Sequence, residues 1–106
     1  MKTPILLATL IATTATADEA TEWPSYCTNL ANVASTVMSA RQNGVSLVDV
    51  LGTGEIKGNA KQIVITAYRR PAFGSESMKQ KQVTAYRDEV YLSCYDAFVA
   101  KHGEPE

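Results

Sequence analysis

Apolar positions recur along this chain at helical spacing in three long stretches. In the first, Cys27, Leu30, Ala31, Ala34, Val37, Met38 and Arg41 fall three or four residues apart, which places them on one face of an α-helix. Thr28, Asn29, Asn32, Ser35, Thr36 and Ser39 occupy the opposite face. Pro24 or Ser25 is placed to start this helix, and Asn43-Gly44 to end it, because glycine adopts the left-handed cap conformation at little steric cost. A short second helix is expected from Ser46, with Asp49 three positions on in a capping-box arrangement and Val45, Val48 and Leu51 available to pack. Gly52-Thr53-Gly54 stops it.

From Asn59, residues Ala60, Ile63, Val64, Ala67 and Tyr68 resume the helical period. The β-branched run Ile63-Val64-Ile65-Thr66 also fits a strand, but a lone strand has no partner here, so helix is preferred. Pro71 ends the segment and turns Arg70 away from helix. Ala72 to Ser77 is expected as a loop, with Ser77 and Gln80 forming a second capping box. The last helix is expected from Met78 to Lys101. Val83, Tyr86, Val90, Cys94, Ala97 and Phe98 form its stripe, flanked by Tyr91 and Tyr95. The fold class is therefore all-α, a small bundle of three to four helices. Lys61-Gln62…Ala67-Tyr68-Arg69 and Lys81-Gln82…Ala85-Tyr86-Arg87 echo each other, but their spacings differ by two residues, which rotates a helix by about 200° and argues against a duplication.

The amino terminus changes this picture. Lys2 and the free amine precede an apolar run from Pro4 to Ala12, and Ala15-Thr16-Ala17 is a small-residue cleavage pattern. Residues 1–17 thus read as a cleavable secretory signal. A membrane span needs roughly 20 apolar residues, and this run has about nine. A flexible leader is expected over 18–23, a single helical domain over 24–103 and a polar tail over 104–106, so the exported product is one domain of about 89 residues. The expected destination is the periplasm or the extracellular space.

Export gives the two cysteines a meaning. A small domain in an oxidising compartment gains from a staple, and Cys27 and Cys94 are the only pair. Both lie on predicted apolar faces. Their bridge would close a loop of about 67 residues and contribute roughly 4 kcal/mol on a chain-entropy estimate. With no C-x-x-C spacing and no adjacent His or Lys, a reactive thiol is the lesser reading.

Charge and motif content then eliminate functions. The formal charge is −1, and −2 once Lys2 leaves with the signal, which argues against non-specific nucleic-acid binding. The one histidine, His102, sits at the end of the last helix, a position suited to the helix dipole rather than to a triad. Asp88, Glu89 and Asp96 lie on the last helix among Arg87 and Lys101; two carboxylates can run a glycosidase, but a solvated helix face accounts for these. No zinc, calcium, phosphate-loop or dinucleotide pattern occurs, so no metal or cofactor is expected. Two sets of residues are candidates for binding a partner: Arg69, Arg70 and Phe73 at a helix end, and Tyr91 and Tyr95 on the last helix. Aromatic and arginine side chains are enriched where proteins bind one another. Structural roles compete for both sets, as helix-end complements and as core edge.

The run Cys27…Ala34…Met38…Ala40-Arg41-Gln42…Gly44, followed by Ala67-Tyr68…Pro71 and a late cysteine, resembles a family of small exported proteins of proteobacteria and their tailed phages. That resemblance implies an exported helical disulfide domain and a prophage connection. A more distant resemblance is to periplasmic acid-stress chaperones of the HdeA type, from which the position of Cys94 near the carboxyl end departs. The functional expectation is a non-enzymatic protein that binds an envelope or extracellular protein, as a phage-linked envelope factor or inhibitor. A stress chaperone is the alternative, and a small enzyme is third.

Overall fold

A computed structural model describes residues 22–104. The signal reading, all but the end of the expected leader, and Pro105-Glu106 lie outside the described residues. Four helices follow in order: α1 (Trp23–Gln42), α2 (Leu47–Leu51), α3 (Gly58–Tyr68) and α4 (Glu76–His102). The all-α reading and the choice of helix over strand at Ile63–Thr66 both hold.

Helix α1 is the centre of the domain. Its fully buried positions are Cys27, Ala31, Ala34, Met38 and Gln42, a single stripe at steps of three and four. Pro24 lies in the first turn, where its missing N–H costs nothing. Gly44 takes a φ of 85° just beyond the end, the conformation expected of it. Three of the buried side chains on α1 and α3 are alanines, and their small volume lets the helices approach closely.

Contacts at both ends of α1 set the directions of its neighbours. Asn59, at the start of α3, donates to the Tyr26 hydroxyl at 3.1 Å, and Tyr68, at its end, donates to the Val45 carbonyl at 2.7 Å. Helix α3 therefore runs parallel to α1. Cys94 bonds to Cys27, whereas the loop before α4 meets Gln42, so α4 runs antiparallel. Both helices pack mainly on α1 rather than on each other. The core joins Ala34 and Met38 of α1, Ile63 and Ala67 of α3, and Tyr86 of α4. Tyr86 is 1% exposed, and its hydroxyl donates to the Ile63 carbonyl at 2.5 Å, so the largest core side chain also ties α3 to α4.

Three expectations are corrected. The cap of α4 is Ser75, whose hydroxyl accepts from the Met78 N–H at 3.3 Å, so the helix starts at Glu76 and Ser77 lies inside its first turn. By sequence only Ser77, with Gln80 three positions on, fits the capping box; Ser75 has Met78 there. Only at 75 is the backbone extended, and only then does Glu76 fall in the first turn, where a carboxylate complements the dipole. Second, α2 is capped by Ser46 as expected, but Val45 and Val48 do not pack: no residue of α2 is fully buried, and Val48 is 75% exposed. A five-residue helix between two loops reaches no second layer. Third, Tyr86 is the only fully buried member of the α4 stripe, and Ala97 is exposed. Helix α4 has 27 residues and α3 only 11, so beyond the span of α3 the stripe has one neighbour instead of two.

The disulfide between Cys27 and Cys94 is formed, with the two Cα atoms 5.5 Å apart and 67 positions between them in sequence. It joins the first turns of α1 to the second half of α4.

Candidate functional site

Five side chains were candidates for a contact surface, and the fold gives most of them internal work. Arg70 pairs with Glu89 of α4, and its guanidinium lies over the Tyr86 ring, 4.9 Å from the centroid. The hydrogen bond that Arg70 donates to the Glu89 carboxylate is the main reason its pKa is raised, with burial opposing. Tyr86 is also pushed up, chiefly by burial, with the positive Arg70 opposing. Glu89 is thereby taken out of any carboxylate pair with Asp88. Phe73 is half-buried, and its backbone N–H donates to Gln42 Oε1 at 2.8 Å. Tyr91 and Tyr95 both meet Trp23, with ring centroids 6.2 and 5.1 Å away. Arg69 alone stays fully exposed.

The residue that pattern reading missed is Gln42. It is 3% exposed and is the only buried polar side chain among the described residues. Its Nε2 donates to the Pro71 carbonyl at 2.9 Å while its Oε1 accepts from Phe73. One side chain thus satisfies a donor and an acceptor on the loop from α3 to α4. Arg41 Nε adds a bond to the Arg70 carbonyl at 3.0 Å and lies over the Tyr68 ring, 5.5 Å from the centroid. Burial raises the Tyr68 pKa, with Arg41 opposing. The two motifs Arg41-Gln42-x-Gly44 and Ala67-Tyr68-x-x-Pro71 therefore meet in space. A signal was present: Gln42 stands four residues after Met38 on the apolar stripe, where an amide must find partners.

A concave feature lies at the other end of the domain, between the start of α3 and the end of α4, with α1 beneath. It encloses about 750 Å³. Leu30, Ile63, Val90 and the disulfide form its floor, and Trp23 and Phe98 close one end with ring centroids 5.6 Å apart. Asn59, Gln62 and Thr66 line one wall, while Ser93 and Ala97 line the other. Lys101 and His102 also line it, His102 against Phe98 at 4.7 Å, as do the carboxylates of Glu22 and Glu89. An apolar floor with a few neutral hydrogen-bonding groups is the composition of a binding site. Neither Tyr91 nor Tyr95 lines it.

Among the described residues no three His, Cys, Asp or Glu side chains gather as a metal site would need, and no helix is long and apolar enough to cross a membrane. Asp88 and Asp96 are exposed on α4. No family model, curated protein or solved structure matches this chain.

Proposed function

We propose that this is an exported, non-enzymatic protein that holds an apolar segment of another envelope or extracellular protein in the groove between α3 and α4. The observation that carries the reading is the groove itself: about 750 Å³, floored by aliphatic side chains and a disulfide, and ended by Trp23 and Phe98. A segment with one apolar face would bury that face there and leave its polar side at the amide and hydroxyl rims, the helix-in-groove mode of recognition. Export is supported by the signal-like amino terminus and by the disulfide, which belongs to oxidising compartments. Arg69 stays in the proposal as a peripheral contact. Arg70, Phe73, Tyr91 and Tyr95 act as the scaffold that presents the surface.

The test is affinity capture from an envelope fraction with the oxidised protein, beside the variant Ala97→Glu. Ala97 is exposed on the groove wall, and a glutamate there stands four residues before Lys101, a pairing that favours helix. The expected result is one saturable partner, retained by the native chain and lost by the variant. A partner held equally by both overturns the groove as the site. Protection of many unrelated clients in acid, with no saturable partner, would replace this reading by the chaperone one.

A further inference from the structure

Residues 46–57 form a strap whose two ends are held at the two ends of one helix. At one end the Tyr68 hydroxyl, where α3 finishes, donates to the Val45 carbonyl. At the other, Gly58 opens α3, and Asn59 beside it is bonded to the Tyr26 hydroxyl. Helix α3 is also a wall of the groove, through Asn59, Gln62 and Thr66. The strap thus spans that wall from end to end. Within it, α2 carries an apolar face that nothing covers. At about 100° per residue, Leu47, Val48, Val50 and Leu51 fall within an arc of about 160°, and Asp49 lies opposite its middle. Leu47 and Val48 are exposed, and α2 packs on no other helix as α3 and α4 pack on α1. We propose that the strap is a lid: α2 swings across α3 and lays its apolar face on the floor of the empty groove, and a partner segment enters by displacing it. This inference rests on the groove reading above and adds regulation to the same site.

Length permits the swing. The 11 residues of α3 set the anchors about 16 Å apart. The strap's helical turn covers about 8 Å, and its remaining residues reach up to about 23 Å when extended. Its middle can therefore stand about 13 Å from the line between the anchors, whereas a helix with its side chains has a radius of about 5–6 Å. Gly54 and Gly58, with φ of 74° and 64°, lie between α2 and the second anchor, and glycine moves between left- and right-handed backbone without a Cβ penalty. The closed lid matches apolar with apolar: Leu47, Val48 and Leu51 meet Leu30, Ile63 and Val90, and water leaves both surfaces. Asp49 stays in solvent on the far side, so closure asks for no charge pairing with Glu22, Glu89 or Lys101 of the lining. The open arrangement is the one that a partner can enter. Its apparent affinity is lowered by the fraction of chains that are closed.

The measurement is binding of N-phenyl-1-naphthylamine, a neutral apolar dye, to the oxidised protein. It is read by energy transfer from Trp23, the only tryptophan, which lines the groove. The native chain is compared with Val48→Asp, Val48→Ile and Ala97→Glu. Val48 is 75% exposed, so Val48→Asp leaves the fold intact, checked by circular dichroism. Ala97→Glu should weaken the dye, which places it in the groove. Val48→Asp should bind it about threefold or more tightly than the native chain, because the lid no longer competes. Val48→Ile keeps the apolar face and should bind it no more tightly than the native chain. A dye that binds Val48→Asp as the native chain does, or more weakly, overturns the lid. So does Val48→Ile binding as tightly as Val48→Asp, and so does a dye indifferent to Ala97→Glu. The groove reading fails separately, by partner capture that is insensitive to Ala97→Glu. Sensitive capture with no gain in Val48→Asp leaves that reading standing and removes only the lid.

Discussion

Replacing Gln42 by methionine keeps nearly the same volume in the core and removes both polar contacts to the loop before α4. The Phe73 N–H and the Pro71 carbonyl then lose their partners. A buried group left unsatisfied costs about 1–3 kcal/mol, and these two are only part-buried, which places each near the lower end. Removing the buried amide also removes its own desolvation cost, so the net loss is about 2 kcal/mol. For a domain of this size that lowers Tm by roughly 8–16 °C. Urea denaturation of the oxidised protein measures the free energy directly, and an unchanged m-value would show that the two states expose the same surface. Gln42→Glu makes a sharper companion. It keeps an acceptor for Phe73 but sets a carboxylate oxygen against the Pro71 carbonyl. At neutral pH it should be worse than methionine, and in acid, where the carboxyl donates again, it should recover. A Gln42→Met protein within about 0.5 kcal/mol of the native one would refute the idea that this side chain clamps the loop.

Reduction of the Cys27–Cys94 bond, or replacement of both residues by alanine, should cost about 4 kcal/mol, read as a fall in the denaturation midpoint; a change below about 1 kcal/mol would show that the reduced chain already keeps the ends of α1 and α4 together. Tyr86→Phe should cost about 1–2 kcal/mol through the lost bond to the Ile63 carbonyl. The folded pKa of Tyr86 is raised by burial, so the folded state holds the phenolic proton more tightly than the unfolded one. Native stability should then be complete below about pH 10 and fall as pH rises above it. Tyr68 adds to that slope with the same sign, so Tyr86→Phe should flatten it without abolishing it, as measured by denaturation across alkaline pH. Glu89→Gln should change stability by less than about 1 kcal/mol and its effect should shrink in high salt, because both partners of the Arg70 pair are partly exposed; a larger loss would mean that Arg70 needs the carboxylate to stay on the Tyr86 ring.

Pattern reading reached the neighbourhood of several internal contacts, and the structure supplied the partners. Arg70 and Phe73 were singled out correctly as lying at a junction, yet the junction faces inward, to Glu89, Tyr86 and Gln42. Side-chain type marks where unusual contacts form and is silent on which partner wins. Tyr91 and Tyr95 were placed at a core edge or a surface. Trp23, taken as the end of a leader, turned out to be what they pack on, because α1 starts one residue earlier than Pro24 indicated. Ser77 with Gln80 looked like the cap of α4, and the extended backbone at Ser75 moved it two residues earlier.

Local pattern by itself determined the four helices, the stops at Gly44 and Pro71, the cap at Ser46 and the pairing of two lone cysteines. Each follows from spacing, backbone preference or counting, and none requires knowing what lies across the interface. Only the tertiary structure decided that α3 and α4 flank α1, that Gln42 rather than a second hydrophobe completes its stripe, and that Leu47 and Val48 of α2 stay in solvent. The groove belongs to the same category. It forms where the start of α3 and the end of α4 face each other over α1, and the burial of a side chain depends on how many neighbours reach it.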